Sequence, residues 1–223
     1  INYAVSCLEA DYVIIANPDI HVTPRCIRRV KDALDKTQGA VAASARVKDP
    51  MGGELFSYWT LLPLWKDLLD TGLVTRRLFK AMLNTPSYRL AYAGDEDCRL
   101  VDAVPGSFFM LKTGILTPGE IKEVFDKHIF LYYEEKVLGQ KFRKMGLKTV
   151  LVTDESYVHA HSVSIDKSFK RIVDKQRLLH RSKLYYYKEY LGTGPAGMAA
   201  ARAVLGLVLA EVWFLTVVCR MRW

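Results

Sequence analysis

A five-residue segment near the start of the chain constrains the fold more than any other feature. Residues 12–16, Tyr-Val-Ile-Ile-Ala, form a continuous apolar run that is rich in β-branched side chains. Such a run is typical of a strand that is buried on both faces, as in a parallel sheet. Pro18 ends the run, because proline has no amide hydrogen to donate to a neighbouring strand.

The residues after this strand predict a helix and a second strand. Thr23 provides a hydroxyl that caps the first helical turn, and Pro24 occupies the first helical position. Gly39 ends the helix, and we expect residues 40–45 to form the next strand. A strand, a loop, a helix and a second strand in this order indicate an α/β fold.

Hydrophobic spacing and turn residues predict the elements that follow. We expect a helical excursion or a flap over residues 55–82, a Pro-Gly turn followed by a strand within residues 101–112, a strand at 149–153, and helices at 121–125, 134–144 and 167–191. In the last of these helices the apolar stripe includes Tyr186, Tyr187 and Tyr190.

The C-terminal segment has a different character. Residues 203–219 are apolar except for Glu211 and Thr216. A membrane-spanning helix needs about 20 apolar residues, and a carboxylate near its middle costs roughly 2.5–3.5 kcal/mol. We therefore expect a helix that lies on or re-enters a membrane; a true span and a helix docked on the protein or on a partner are the alternatives. We assign residues 1–191 to an α/β domain and residues 192–223 to this separate helix.

Composition narrows the choice of partners. A chain of 223 residues forms a core that needs no disulfide or metal. Its net charge of +8 favours an anionic partner such as a nucleotide, a nucleic acid or an acidic membrane. The basic residues are spread along the chain without a nucleic-acid-binding motif, so no nucleic acid is expected. The four cysteines are widely spaced, which argues against a disulfide framework or a zinc knuckle and favours the cytoplasm.

The motif Asn17-Pro18-Asp19 directly follows the first predicted strand. In open α/β sheets, ligands bind beyond the carboxyl ends of the strands. A carboxylate at such a place can hold a divalent cation, which in turn neutralises a diphosphate. The alternative is an Asx turn that only ends the strand, because these residue types are common in turns.

Two adjacent carboxylates begin the helix that is predicted at residue 134. Glu134 and Glu135 follow Tyr132 and Tyr133, whose rings would help to bury the pair. Burial and mutual repulsion raise the pKa of a carboxyl group, and a positioned carboxylate accepts a proton from a hydroxyl. Acidic residues are also favoured at a helix N-terminus for electrostatic reasons alone, so a structural role is the alternative.

Two further motifs offer candidate site residues. His159 and His161 follow the strand predicted at residues 149–153. Imidazole is a common ligand of Mn, Fe and Zn ions, and we expect only one of the two histidines to be a ligand. Gly106, in the segment 104–107, would let the backbone approach a ligand closely. A structural role for each histidine and a simple turn at Gly106 are the alternatives.

The order of these motifs resembles that in the inverting family-2 glycosyltransferases of the GT-A fold, especially bacterial enzymes that add rhamnosyl or galactofuranosyl units to polysaccharides. The matching segments are 12–22 (YVIIANPDIHV), 102–111 (DAVPGSFFML), 125–126, 130–146 (FLYYEEKVLGQKFRKMG) and 158–165 (VHAHSVSI). The resemblance covers residues 1–190 and implies a Rossmann-like, mostly parallel sheet flanked by helices. It also implies a catalytic domain that is truncated at its N-terminus, before the helix that precedes the first matching strand.

The resemblance implies a role for each candidate residue. Asp19, at the place of the family's D-x-D motif, would hold Mn²⁺ or Mg²⁺ on the donor diphosphate together with His159. Glu135, which replaces an Asp of the family, would be the general base, and Glu134 would position the acceptor. Substrate-binding roles would fall to Asn17, Asp102, Gly106, Ser107 and Tyr133.

The implied reaction is a single displacement with inversion. The donor would be a nucleoside-diphosphate sugar, with UDP or dTDP as its nucleotide, and the acceptor a glycan or a lipid-linked sugar in cell-surface polysaccharide synthesis. We expect the protein at the cytoplasmic face of the plasma membrane, where its C-terminal helix makes a peripheral contact or joins a homo-oligomer.

Two other functions stay open. A non-catalytic, membrane-associated interaction module derived from a glycosyltransferase would need none of this site chemistry. A nucleotidyltransferase on a related sheet usually has a Gly-rich phosphate loop, and the sequence contains none.

Overall fold

The computed structural model describes residues 2–7, 9–79, 83, 97–129, 131–160 and 172–219. The chain divides into two compact units. Unit one comprises Ile1–Leu61, Ser87–His128 and Glu134–His161, and unit two comprises Leu62–Pro86, Ile129–Tyr133 and Ser162–Trp223. The domain boundary predicted at residue 192 falls within unit two.

The elements are numbered separately for strands and helices. The strands, all in unit one, are β1 (Tyr12–Ala16), β2 (Ile20–His21), β3 (Ala40–Lys48), β4 (Cys98–Val101), β5 (Phe108–Lys112) and β6 (Lys148–His159). The helices are α1 (Asn2–Ser6), α2 (Pro24–Lys36), α3 (Leu64–Leu69), α4 (Leu73–Leu78), α5 (Pro118–Lys122), α6 (Glu134–Lys144), α7 (Ile172–Glu189) and α8 (Pro195–Trp213). A 3₁₀ turn, Thr113–Ile115, follows β5, and a π-helical turn, Phe214–Val218, continues α8.

The sheet of unit one is mixed. Its strand order is β1-β5-β3-β6-β2, and β4 also pairs with β6. Among the described strands, β3 and β6 form the one parallel pair. Strand β5 runs against both β1 and β3, and β2 and β4 run against β6. The expected mostly parallel sheet is therefore wrong for this part of the chain. The apolar run of β5 is buried because the strand is central, and burial of this kind does not depend on strand direction.

Helices cover both faces of this sheet, which confirms the α/β class. On one face, Val30 and Leu34 of α2 join a core cluster with residues of β3, β5 and β6. On the other face, Leu138 and Phe142 of α6 pack in a second cluster with residues of β1, β3 and β5. The sheet supplies both clusters from alternate residues of the same strands.

Several local predictions are confirmed. Strand β1 has the predicted bounds, and the Oγ1 atom of Thr23 accepts a hydrogen bond of 3.1 Å from the Cys26 amide at the start of α2. The predicted burial of β1 on both faces is wrong, because β1 lies at the end of the strand order, where Val13 and Ile15 are buried but Ile14 is 43% exposed. Gly146, which follows α6, has a φ of 71°, a left-handed conformation that favours glycine. The four cysteines are free thiols.

Helix α7 departs from its predicted pattern. Tyr186 and Tyr187 are buried as expected, but three polar residues are buried as well, namely His180, Ser182 and Lys183. The first part of the predicted helix, residues 167–171, lies outside the described residues.

Candidate functional site

Three strands that point in the same direction end at one edge of the sheet, called here the carboxyl edge. Strand β1 ends at Ala16, β3 at Lys48 and β6 at His159. Their common direction follows because β1 and β3 both run against β5, and β3 is parallel to β6. Strand β5 begins at this edge, where Phe108 pairs with Ala16. Ligands of open α/β sheets bind at edges of this kind.

Asp19 and His159 meet at the carboxyl edge. The Oδ1 atom of Asp19 lies 3.3 Å from the Nε2 atom of His159, and the side chains are 30% and 11% exposed, respectively. The backbone holds them together, because Ile20 pairs with His159 and the amide of Ala160 donates to the carbonyl oxygen of Asp19 at 3.1 Å. Strand β6 extends six residues beyond its predicted end at residue 153, which places His159 within the sheet.

The Asp19–His159 pair fits a divalent cation. A carboxylate oxygen and an imidazole nitrogen are donors that Mn²⁺ accepts. Neighbouring ligands of an octahedral ion with bonds of about 2.1 Å lie roughly 3 Å apart, and these two atoms are 3.3 Å apart. Within the described ranges, no group of three or more His, Cys, Asp or Glu residues converges on a common point. The second candidate histidine, His161, lies outside these ranges.

Hydrogen bonds connect the segments that carry this pair to the turn that precedes β5. The hydroxyls of Tyr157 and Ser107 share a hydrogen bond of 2.7 Å, and Tyr157 lies two residues before His159 in β6. The carbonyl oxygen of Ser107 accepts a hydrogen bond of 2.8 Å from the amide of Asn17. The structure thus brings Asn17 and Ser107 to the same edge as Asp19. Tyr157 was not among the predicted site residues, although alternate residues of a strand share a face, which places Tyr157 beside His159.

Glu135 reaches the same turn from helix α6. Its Oε1 atom accepts a hydrogen bond of 3.3 Å from the amide of Gly106. A Cβ atom at Gly106 would lie 3.3 Å from the same Oε1 atom, so glycine leaves room for the carboxylate. Helix α6 also approaches the backbone closely at Gly139, where a Cβ atom would lie 2.4 Å from the carbonyl oxygen of Asp102.

Glu134 and Glu135 both have raised pKa values, whereas the sequence predicted a raised pKa for one of the two. Burial is the main cause of the raised pKa of Glu135. Burial and then the charge of Glu135 raise the pKa of Glu134 to about 7. Glu135 borders a small cavity whose lining is mostly apolar and includes Phe109 and Phe142. The Oε2 atom of Glu134 is buried and has no hydrogen-bond partner among the described residues. Glu134 can therefore exchange a proton near neutral pH.

Two other candidate residues have partners within the protein. The Oδ2 atom of Asp102 accepts a hydrogen bond of 2.8 Å from the amide of Leu61, which ties the segment before α3 to the end of β4. Tyr133 belongs to unit two, where its hydroxyl donates to the Oδ2 atom of Asp67. A role in substrate binding for Asp102 and Tyr133 stays a prediction.

The backbone just before α6 is strained. Tyr132 and Tyr133 have φ angles of 66° and 72°, a region that costs a non-glycine residue roughly 1–3 kcal/mol. Asp67 holds Tyr133 there, and its Oδ2 atom also contacts the hydroxyl of Tyr187 at 2.6 Å and the Nζ atom of Lys183 at 2.9 Å. Strain of this kind clusters at functional sites. No sequence pattern pointed to Asp67 or Lys183, because their contact is long-range.

The chain was compared with protein-family models and with curated protein sequences. No protein-family model matches the chain, and no curated protein matches it in sequence.

Proposed function

We propose that the chain is a metal-dependent, inverting glycosyltransferase with a GT-A-like fold, the class that its motif order resembles. One observation supports this most strongly: two kinds of chemical group converge on the carboxyl edge. Asp19 and His159 form a pair suited to a cation, and Glu135, whose pKa is raised, bonds to Gly106 beside Ser107. Sugar transfer from a nucleotide donor needs both a centre for the leaving diphosphate and a base for the acceptor.

The donor end of the proposed site is at Asp19 and His159. These residues would hold Mn²⁺ or Mg²⁺, which stabilises negative charge on the departing diphosphate. The side chain of Asn17 is exposed at the same edge and is free to donate a hydrogen bond to a phosphate oxygen. We propose UDP or dTDP as the nucleotide of the donor.

The acceptor end of the proposed site is at Glu134 and Glu135. A carboxylate with a raised pKa is a stronger base near neutral pH than an ordinary one. The amide of Gly106 fixes one oxygen of Glu135, which we propose as the general base. Glu134 would orient the acceptor, because a hydroxyl donor would satisfy its buried Oε2 atom, which has no hydrogen-bond partner in the described part of the chain.

In the proposed reaction, the acceptor oxygen attacks the anomeric carbon while its proton passes to Glu135. The bond from that carbon to the diphosphate oxygen breaks on the opposite face of the sugar, so the configuration inverts. The nucleoside diphosphate leaves with the electron pair of the broken bond. We propose a glycan or a lipid-linked sugar as the acceptor, which supplies the attacking hydroxyl.

Release of nucleoside diphosphate tests this proposal. The full chain would be incubated with Mn²⁺, with nucleotide sugars of UDP, dTDP, GDP and CDP, and with glycan or lipid-linked acceptors. We expect release from one donor, and a loss of roughly 10²–10⁴-fold in Glu135→Gln, which removes the base but keeps its size. The control Glu189→Gln, at an exposed position of α7, should keep full activity. No release from any donor, or equal rates in Glu135→Gln and the wild type, would contradict the proposal.

A non-catalytic, membrane-associated interaction module is the second candidate function. The observation that favours it is helix α8, which is apolar and mostly uncovered within the protein. Under this alternative, Asp19→Ala and Glu135→Gln would leave membrane binding unchanged, and no nucleotide would bind. The release assay above therefore separates the two functions.

A further inference from the structure

Helix α8 and the π-helical turn after it have two apolar faces. One face is covered, and its buried residues recur at intervals of three and four: Met198, Ala201, Leu205, Val208 and Val212. The other face is exposed and from residue 203 to residue 218 has only apolar or small residues: Ala203, Gly206, Leu207, Ala210, Trp213, Phe214, Val217 and Val218. We call this second set the exposed face of α8. Helix faces in contact with water carry charged and polar residues, and the exposed face of α8 has none.

The segment Pro195–Val218 is long and apolar enough to cross a membrane, yet the partners of its covered face argue against crossing. Within unit two, α8 packs against α7 and α3. Helix α7 exposes Arg177 and Lys188, whose side chains are 66% and 69% accessible. Charged side chains of this kind are costly in hydrocarbon. A helix that spans a bilayer would take these neighbours into the lipid with it.

The carboxylate of Glu211 supports the same orientation. Its two oxygens accept hydrogen bonds from the amides of Leu73 and Val74, at 3.3 Å and 3.0 Å, where α4 begins. Gly72 lies in a crowded place at this contact, because a Cβ atom there would lie 2.6 Å from the Oγ1 atom of Thr75 and 3.2 Å from Val208. The carboxylate in the middle of the apolar segment is therefore satisfied by the protein on the covered side, and the exposed face contains no charge.

We infer that the exposed face of α8 lies in the surface of an anionic lipid bilayer, with the helix axis in the plane of the membrane. Arg202 is exposed one residue before the exposed face begins, and Arg77 is exposed on α4, whose first turn Glu211 binds. Arg76 is also exposed on α4, but its charge is paired with Asp70 at 3.1 Å. Each basic residue near an anionic surface strengthens binding roughly fivefold. The ring of Trp213 suits the level of the lipid headgroups. The inference does not depend on the proposed sugar transfer.

Flotation with lipid vesicles tests the surface. The full chain would be mixed with phosphatidylcholine vesicles, with or without phosphatidylglycerol. We expect binding that requires phosphatidylglycerol and falls at least about tenfold in Leu207→Glu and in Phe214→Glu, because a carboxylate then enters the lipid. The matched control is Met51→Glu, at a residue of unit one that is 94% exposed, and it should bind as the wild type does. Thermal melts of all variants check folding.

Two results would overturn the inference. One is that the wild type does not bind the vesicles, or that Leu207→Glu and Phe214→Glu bind them as well as the wild type does. The other is a concentration-dependent dimer in solution that Leu207→Glu dissociates, without vesicle binding, which would assign the exposed face to a second copy of the chain. Light scattering on the same samples distinguishes these cases.

Thiol labelling tests the orientation of the helix. Cys219 is exposed at the C-terminal end of the segment, and Ala196→Cys would place a second thiol near its other end. In a background in which Cys7 and Cys98 are serine, an impermeant maleimide added outside the vesicles should label both thiols if the helix lies in the plane. Labelling of only one thiol would indicate a span and contradict the inference.

Discussion

The Nε2 atom of His159 lies 3.3 Å from the Oδ1 atom of Asp19, although Asp19 follows β1 and His159 ends β6. The two-residue strand β2 creates this contact, since Ile20 pairs with His159 and His21 pairs with Val158. A candidate cation site thus depends on a short antiparallel pairing at the carboxyl edge. The same edge receives Glu135 through Gly106, so one end of the sheet positions both the proposed donor and acceptor groups.

Replacement of Glu135 by glutamine should lower the pKa of Glu134. The charge of Glu135 is the second cause of the raised value of about 7, after burial. In Glu135→Gln the pKa of Glu134 should therefore fall, but it should stay above its ordinary value because the burial remains. Carbon-13 NMR titration of the Glu134 carboxyl would measure this. An unchanged pKa would mean that the two carboxylates do not interact.

Glu134 should make the free energy of unfolding fall as pH rises from about 4.5 to about 7. The folded protein keeps a proton on Glu134 up to a pH of about 7, whereas the unfolded chain releases it near the ordinary value of 4.5. This group alone contributes a loss on the order of 3 kcal/mol. Burial lowers the pKa of His180 from 6.5 to about 4, so His180 contributes a gain over much of the same interval, because there the unfolded state binds more protons. Urea unfolding at a series of pH values isolates the contribution of Glu134 as the difference between the wild type and Glu134→Gln, and Glu189→Gln should match the wild type at every pH.

Gly139→Ala should destabilise unit one. An added Cβ atom would lie 2.4 Å from the backbone carbonyl oxygen of Asp102, which has no flexible end that could move aside. We expect a loss of about 1–3 kcal/mol, as for other overpacked sites. The control Gly119→Ala meets no atom within 4 Å in helix α5 and should have little effect. Thermal unfolding of both variants measures the difference, and equal stabilities would contradict the close packing of α6.

Lys183 and Asp67 form a buried ion pair in unit two. Replacing Lys183 alone should lower the free energy of unfolding more than replacing both residues. Lys183→Met leaves the carboxylate of Asp67 buried without its cation and should cost about 3–5 kcal/mol. The double variant Lys183→Met/Asp67→Asn should recover part of this loss. The neutral amide needs no cation, and its oxygen still accepts hydrogen bonds from Tyr133 and Tyr187. If urea unfolding finds the double variant as unstable as the single one, the charge of Asp67 is not what Lys183 compensates.

The sequence predicted elements whose signals lie within a few adjacent residues. Thr23 and Pro24 predicted the start of α2, and the β-branched run at residues 12–16 predicted the bounds of β1, because capping and strand propensity are local properties. The predicted burial of β1 on both faces was wrong, since burial depends on where the strand lies in the sheet. The direction of β5 was not predictable in this way. An apolar run indicates burial, and only long-range pairing decides which way the strand runs.

The candidate site was predictable only where its residues are adjacent in the sequence. The adjacency of Glu134 and Glu135 predicted a raised pKa for one of them through repulsion, but burial, which depends on packing, is the main cause of the raised pKa of both. The contact of Tyr157 with Ser107 depends on packing between distant segments. Lys183 breaks the apolar stripe expected for α7 because a distant partner, Asp67, makes its burial tolerable.

Nucleotide binding tests the proposed donor site most directly. Thermal shifts of the full chain would be measured with UDP, dTDP, GDP and CDP, with and without Mn²⁺, for the wild type and for Asp19→Ala, His159→Ala and the exposed control Asp32→Ala. We predict that one nucleotide, at about 100 times its Kd, adds roughly 2.7 kcal/mol of stability only when Mn²⁺ is present. Asp19→Ala and His159→Ala should abolish this shift, and Asp32→Ala should keep it. A cooperative melt that no nucleotide shifts, or an equal shift in Asp19→Ala, would contradict a donor site at the carboxyl edge.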